Sequence, residues 1–443
     1  MSNPMKHSLW LRVHHWLNVP LLLLMIWSGL LIYWANDVYG VFFPSWFYKL
    51  LNLESQLADG ISVHFLVGWF FILNGICYIV YLVVSGHWRE LFPTRQTVRQ
   101  LIPTILHDLG LRDEAPPHGK FNAAQSFAYT SVIFFGALAV ASGFAIYKPV
   151  QLGWLAHALG GYEVARGLHF LSLLVISGFI FVHIVQVIRA GWPNFRAMVA
   201  GAEFPEVHRS RVSFALLIAF FLAFSATWAG LRLAPQADEA PAPFRKTLEL
   251  NGKIWKAFYN SGRLNLASTN PSGKIPRVNG DIGLGGVTDR DSWELVVDSN
   301  ADDQNSKKLT LHMKDILALP RTETATEFKC IEGWSEDMSF AGVKFSEFLK
   351  AYNIQAKPYV GLVSSDGEYY VSLDIESMMH DQTLLAYEMN GAPLKPENGA
   401  PLRLVIPIKY GIKNLKHIGK IFFSDMRPPD YWAERGYDWY AGL

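Results

Sequence analysis

GLHFLSLLVISGFIFVHIVQ, residues 167–186, is an apolar run with two histidines, His169 and His183, and no charged side chain. The run is long enough to cross the ~30 Å hydrocarbon core of a bilayer as a helix. The histidines stand 14 residues apart, close to four full turns, so they share one face with a separation of roughly 21 Å. One histidine therefore sits near each membrane surface. Ionisable side chains inside a span are costly and mark function.

Four more stretches have the same apolar length. With 165–189 they make five spans: 9–34, 62–85, 123–147, 165–189 and 212–234. The first carries His15 near its start, and the second carries His64 near its start. Successive spans alternate in direction, so His15 lies at the depth of His183 and His64 at the depth of His169. Paired imidazoles at two depths of a helical bundle are a ligand set for two haem irons. His14 beside His15 is an alternative that periodicity leaves open. A hydrogen-bonded core histidine is the other reading of any one of the four.

The remaining chain has a different character. The whole protein has 443 residues, of which 51% are hydrophobic and 17% charged, a low charge fraction that reflects the lipid-facing part. APQADEAPAPF (234–244) is a Pro/Ala-rich break. Short alternating runs follow at 293–298, 359–365, 369–374 and 401–407, with the pattern of strands, and FSEFLKAYN (345–353) reads as a helix. The expected fold is an all-α transmembrane bundle of five spans followed by a mixed α+β, strand-rich domain. The expected boundaries are 1–208 for spans one to four, 209–234 for the fifth span, 235–246 for a linker and 247–443 for the second domain. Basic residues flank one side of the spans eleven to three. The positive-inside rule then makes the N-terminus cytoplasmic and the C-terminal domain external, periplasmic if the membrane is a bacterial inner membrane. A net charge of +1 argues against nucleic acid as a partner, and two cysteines, Cys77 and Cys330, exclude a disulfide framework or a cysteine-ligated iron–sulfur cluster.

Arg12-x-x-His15-Trp16, His64-Phe65 and the His169/His183 spacing resemble the di-haem cytochrome b subunits of formate dehydrogenases and nickel–iron hydrogenases, which group with b561-type cytochromes, over about residues 8–200. The resemblance favours His15 over His14 and implies two haem b groups held by His15, His64, His169 and His183. KFNAAQ (120–125) is similar to a segment beside the quinone site of that family, which makes Asn122 and Gln125 candidate quinone contacts. Helix capping by Asn122 is the plain alternative.

PRVNGDIG (276–283), FKCIEGWS (328–335), LLAYEMNGAPLKPENGAPLRLVIP (384–407) and YGIKNLKHIGKI (410–421) resemble, in order, the sulfite-oxidase-type molybdopterin domain. That resemblance implies molybdenum on the Cys330 thiolate. It also implies a pterin phosphate near Asn279, Arg403, Lys413 and Lys416. Arg403 lies in a strand-like run where packing is an equal reading, and the two lysines also fit a solvated basic turn. His380 matches a histidine that some relatives carry near the pocket. Together the resemblances imply a membrane-bound molybdenum oxidoreductase. Electrons would pass between a quinone, two b haems and a molybdopterin centre.

The loop around Cys330 is similar to that of bacterial sulfoxide reductases of this fold. Glu332, Glu336 and Asp337 follow the cysteine, and the next arginine downstream of that loop is Arg403; the alternative is that these carboxylates face away and Arg277 or Arg290 folds into the pocket. An acidic mouth suits a neutral S-oxide or N-oxide better than an oxyanion, because like charges repel more strongly once desolvated. The expected activity is quinol-driven reduction of such an oxide. Oxidation of sulfite or another small molecule feeding quinone is one alternative. A cytochrome b quinone or superoxide oxidoreductase with a metal-free accessory domain is another.

Overall fold

The computed structural model describes residues 7–33, 57–200 and 242–443, apart from 272–274, 276, 279 and 287–288, together with residues 35, 46–47 and 50. The expected fifth span at 212–234 and Asn279 lie outside the described residues. The described chain forms two compact units. One takes residues 7–28, 63–147 and 154–200; the other takes 29–33, 57–62, 148–153 and 242–443.

The helical unit is built on α1 (Leu9–Tyr33), α2 (Leu57–Ser85), α3 (Arg95–Asp108), α4 (Ala123–Tyr147) and α5 (Tyr162–Ala190). Among the described residues, α1, α2, α4 and α5 are long and apolar enough to cross a membrane, and the protein is an integral membrane protein. Each holds its backbone polar groups in its own ladder, as hydrocarbon requires. α3 is a shorter amphipathic helix, and Thr94 caps it by accepting from the Thr97 amide. The span boundaries agree with the apolar runs. α2 and α5 begin five and three residues earlier than hydropathy indicates, because polar residues such as Asp59 and Glu163 are favoured in a first turn.

The second unit opens with α6 (Ala242–Ala257). This helix starts inside the segment read as linker, since Pro243 is compatible with a first turn. Ten strands follow: β1 (Glu294–Asp298), β2 (Lys308–His312), β3 (Arg321–Lys329), β4 (Ser335–Lys344), β5 (Tyr359–Ser364), β6 (Tyr370–Asp374), β7 (Leu384–Met389), β8 (Ala392–Pro393), β9 (Arg403–Val405) and β10 (Ile418–Ser424), with α7 (Phe345–Ala351) between β4 and β5. One sheet runs β2-β1-β10-β5-β6, in which β1 and β10 are parallel. The other runs β3-β4-β7-β8, with β9 also on β7. The sheets share a core that includes Leu295, Leu362, Phe423 and Val343 with Phe345 and Phe348 of α7. β9 is shorter than its apolar run, since Pro401 and Pro407 bracket it and lack the ladder amide.

The β3–β4 hairpin positions the chemistry. Its register pairs Arg321 with Val343 through Lys329 with Ser335, which leaves Cys330–Trp334 as its five-residue loop. The Cys330 amide donates to the Trp334 carbonyl at 3.0 Å and the Gly333 amide to the Cys330 carbonyl at 3.0 Å. Gly333 has φ +95°, a conformation that only glycine adopts without strain. Further along β4, a Cβ on Gly342 would lie 2.1 Å from the Leu385 carbonyl oxygen, so β4 and β7 can approach only with glycine there.

Two buried ion pairs brace this unit: Lys413 with Asp430, and Lys409 with Asp374 at 3.3 Å. Lys413, read as a pterin contact or a solvated turn, is therefore fully buried in a structural pair, and it also donates to the Ser372 carbonyl. Its partner's loss would leave an uncompensated buried ammonium. Asp430→Ala is expected to destabilise the unit by about 3–5 kcal/mol, read as a fall in the unfolding midpoint of the purified protein, while Asp366→Ala on the exposed β5–β6 turn serves as the milder comparison.

Candidate active site

The helical unit brings the four histidines together in two pairs. His15 of α1 faces His183 of α5 with ring centroids 6.1 Å apart, and His64 of α2 faces His169 of α5, also at 6.1 Å. The surroundings fix which nitrogen carries the proton. His169 Nδ1 lies 2.9 Å from the Ala139 carbonyl oxygen and 3.1 Å from Ser142 Oγ. A carbonyl can only accept, so Nδ1 donates and Nε2 keeps its lone pair. Ser142 donates its own hydrogen to the Leu138 carbonyl. His64 repeats the arrangement: Nδ1 lies 3.0 Å from Ser28 Oγ, and the Ser28 hydroxyl donates to the Leu24 carbonyl. His183 stacks on Phe179 at 5.5 Å. Among the described residues, the buried Nδ1 of His15 has no hydrogen-bond partner.

His14 takes a separate place. Its Nδ1 lies 2.7 Å from Asn74 Oδ1, and Asn74 Nδ2 donates to Asn18 Oδ1 at 2.8 Å. Asn122 and Gln125 cap α4 reciprocally. The Asn122 amide donates to Gln125 Oε1 at 3.0 Å, and the Gln125 amide donates to Asn122 Oδ1 at 2.8 Å. That is a capping box.

In the second unit, Cys330 is buried on its hairpin loop. Burial, then the charge of Glu332, pushes its thiol up to about 12. Glu332 Oε2 lies 3.8 Å from Sγ and accepts from the Trp334 indole N–H at 3.1 Å. Of the three carboxylates expected around the cysteine, only this one addresses it. Asp337 accepts from the backbone and hydroxyls of Ser268 and Thr269, and Glu336 from the Arg277 amide. The guanidinium of Arg277 sits 4.7 Å over the Trp334 ring and is close enough to oppose the rise in the Cys330 pKa. Of the two upstream arginines that could add a cation to this mouth, Arg277 is the one that reaches it. Tyr437 is also within reach: burial first, then Glu332 and Cys330, raise its pKa.

Arg403 is 5% exposed on β9. Its terminal nitrogens donate to the carbonyls of Asn398 at 3.0 Å and Asn414 at 3.4 Å, and its buried Nε has no partner among the described residues. Burial lowers its pKa to about 10. Lys416 donates to the carbonyls of Gly280 and Glu397, and burial followed by the charge of Arg403 lowers its pKa to about 8. Both cations thus donate to backbone carbonyls, and the charges of Asp281 and Glu397 also act on Lys416. His380 is tied to backbone through both ring nitrogens, at the Arg263 carbonyl and the Gln382 amide.

Residues 6–201 match the family described as prokaryotic cytochrome b561, and residues 284–432 match the oxidoreductase molybdopterin binding domain. A putative protein-methionine-sulfoxide reductase subunit YedZ1 of Azospira oryzae is 33% identical over 182 residues, 41% of this chain and 89% of that protein. The chain belongs to the prokaryotic cytochrome b561 family and carries a molybdopterin oxidoreductase domain. This cytochrome b561 is also similar to the protein-methionine-sulfoxide reductase catalytic subunit MsrP of Campylobacter jejuni, 33% identical over 34% of this chain and 57% of that one. MsrP of Xanthomonas campestris is 34% identical over 32% of this chain and 48% of that one. This chain spans about half the length of these catalytic subunits.

The protein is an oxidoreductase of haem b and molybdopterin, and its residues fit both groups. An iron between two imidazole nitrogens at ~2 Å each puts the ring centroids roughly 6 Å apart, as both pairs have them. The Nε of Arg403, without a partner among the described residues, suits a phosphate, and the Cys330 sulfur suits a soft metal. In metal-free protein Cys330 should stay a thiol at neutral pH. Alkylation of Cys330 at pH 8, in a Cys77→Ser background, is expected to run on the order of a thousandfold slower than in the denatured chain, from the thiolate fraction alone. The rate should climb about tenfold per pH unit above that. Fast labelling at pH 8 would contradict the buried setting.

Proposed function

We propose that this protein is a quinol-driven reductase of neutral S-oxides or N-oxides, in which His15 with His183 and His64 with His169 hold two haem b irons and Cys330 holds molybdenum. The observation that carries it is the joining, in one chain, of two histidine pairs at iron-spanning separation and a buried hairpin cysteine beside an aromatic wall. The names of the similar reductases favour an S-oxide. Overall, a quinol yields a quinone, two electrons and two protons, and R2S=O takes two electrons and two protons to give R2S and water. Bound, molybdopterin supplies the oxygen-atom chemistry and the haems supply one-electron steps.

This chain's own residues do the rest. Ser28 and Ser142 orient their imidazoles with Nε2 presented. Arg403 and Lys416 would hold the pterin phosphate, with Asn279 a further candidate. Trp334, pinned by Glu332 and flanked by Arg277, forms an aromatic wall beside Cys330. A guanidinium there suits the negative end of an S–O dipole. The excess of basic flanks supports an N-terminus in the cytoplasm and a sheet domain in the periplasm of a bacterial inner membrane.

A second reading, sulfite oxidation feeding quinone, draws support from the same guanidinium, which is also suited to an oxyanion. Two experiments test the proposal. His169→Ala and His183→Ala are each expected to remove one haem b, and the double change both, by pyridine haemochrome assay. Full haem content in either single variant would sink the assignment. Anaerobic, dithionite-reduced wild-type protein is expected to be reoxidised by methionine sulfoxide at the haem absorbance, whereas sulfite leaves oxidised haem unchanged. Sulfite-dependent haem reduction without sulfoxide-dependent reoxidation would establish the second reading instead.

A further inference from the structure

We propose that the polar cluster around His14, between α1 and α2, is the site that binds the quinol headgroup; this rests on the quinol-driven reading above and adds the place. Asn74 Nδ2 donates to Asn18 Oδ1, which turns the Asn74 carbonyl oxygen toward His14. Nδ1 of His14 is therefore the donor, and in the neutral ring Nε2 is an acceptor. An acceptor is what a quinol hydroxyl needs.

The ring is walled by aromatic groups that carry hydroxyls. Tyr78 meets His14 edge-on at 5.8 Å and Tyr81 lies at 6.4 Å, with the two phenols stacked on each other one turn apart. Tyr81 Oη is 2.7 Å from Ser8 Oγ. Trp10 flanks His14 at 6.4 Å and is itself 65% exposed. Leu17 and Ile79 on the same two helices are exposed apolar side chains, of the kind an isoprenoid tail would lie against. A flat, two-oxygen headgroup is bound by a few placed polar groups between apolar and aromatic walls.

Helix pairing alone does not account for the cluster. Asn18 and Asn74 would suffice as an interhelical bond, and a buried histidine with two tyrosines adds cost inside a span unless it serves a ligand. The site adjoins His15 in sequence, so a headgroup here lies beside the His15–His183 pair. Asn122 and Gln125, by contrast, direct their oxygens to backbone amides of their own helix start.

The test uses the purified full-length haem-loaded protein with duroquinol, following the initial rate of haem reduction against quinol concentration. Tyr81→Phe and His14→Gln are each expected to raise the apparent KM about tenfold, the loss of one hydrogen bond, with the dithionite-reduced haem spectrum unchanged. The pair Asn122→Ala and Gln125→Ala is expected to keep the wild-type KM. Wild-type KM in both Tyr81→Phe and His14→Gln, or a raised KM in the Asn122 and Gln125 variants alone, overturns the placement. No reduction of the wild-type haem by duroquinol overturns the quinol reading and the site with it.

Discussion

A serine hydroxyl that has already given its hydrogen to its own helix can only accept. That small constraint governs the helical unit. Ser28 and Ser142 each close a bond to the carbonyl four residues back, and each then takes the Nδ1 hydrogen of a histidine on another helix. The imidazoles are locked in tautomer and rotation before any iron arrives. In a low-dielectric interior an unlocked histidine would cost several kcal/mol in unmet hydrogen bonds. The serine bond therefore stabilises the bundle and sets the direction of the imidazole at once.

The sheet unit solves a related problem with backbone. Its cysteine belongs to the loop of a long hairpin, and the nine-pair register of β3 and β4 holds that loop at a fixed place relative to Arg403 on β9, two strands away through β7. Glu332 is the side chain that links the pieces, touching the thiol and the indole together. The indole and the thiol are thus tied through one carboxylate.

Much of this was legible in the sequence, and the reasons differ by residue. Four histidines in apolar runs are visible because lipid makes them conspicuous, and alternation of span direction is enough to pair them by depth. Choosing between His14 and His15 took a motif, since neighbours on a helix differ by only 100° or so in direction. The serines behind His64 and His169 were invisible: a serine in an apolar run is commonplace, and only the fold says what lies across from it. The charge of the cysteine mouth is open in the sequence for a similar reason. Glu336 and Asp337 are engaged by the 268–277 segment, and Arg277 is brought in from about fifty residues upstream. Lys413 reads in the sequence as a pterin contact or a solvated turn; its ion pair is not visible there, because Asp430 comes from a segment with no pattern of its own.

The buried guanidinium of Arg403 has a consequence for the life of the protein in a cell. Held by two backbone carbonyls and the ring face of Phe340, it keeps a positive charge in the interior of the sheet unit. Any anion that settles against it offsets that burden and binds the folded chain in preference to the unfolded one. Loading and fold maintenance are then a single equilibrium. If the pterin phosphate proposed above is that anion, copies without it open more often and fall first to proteases.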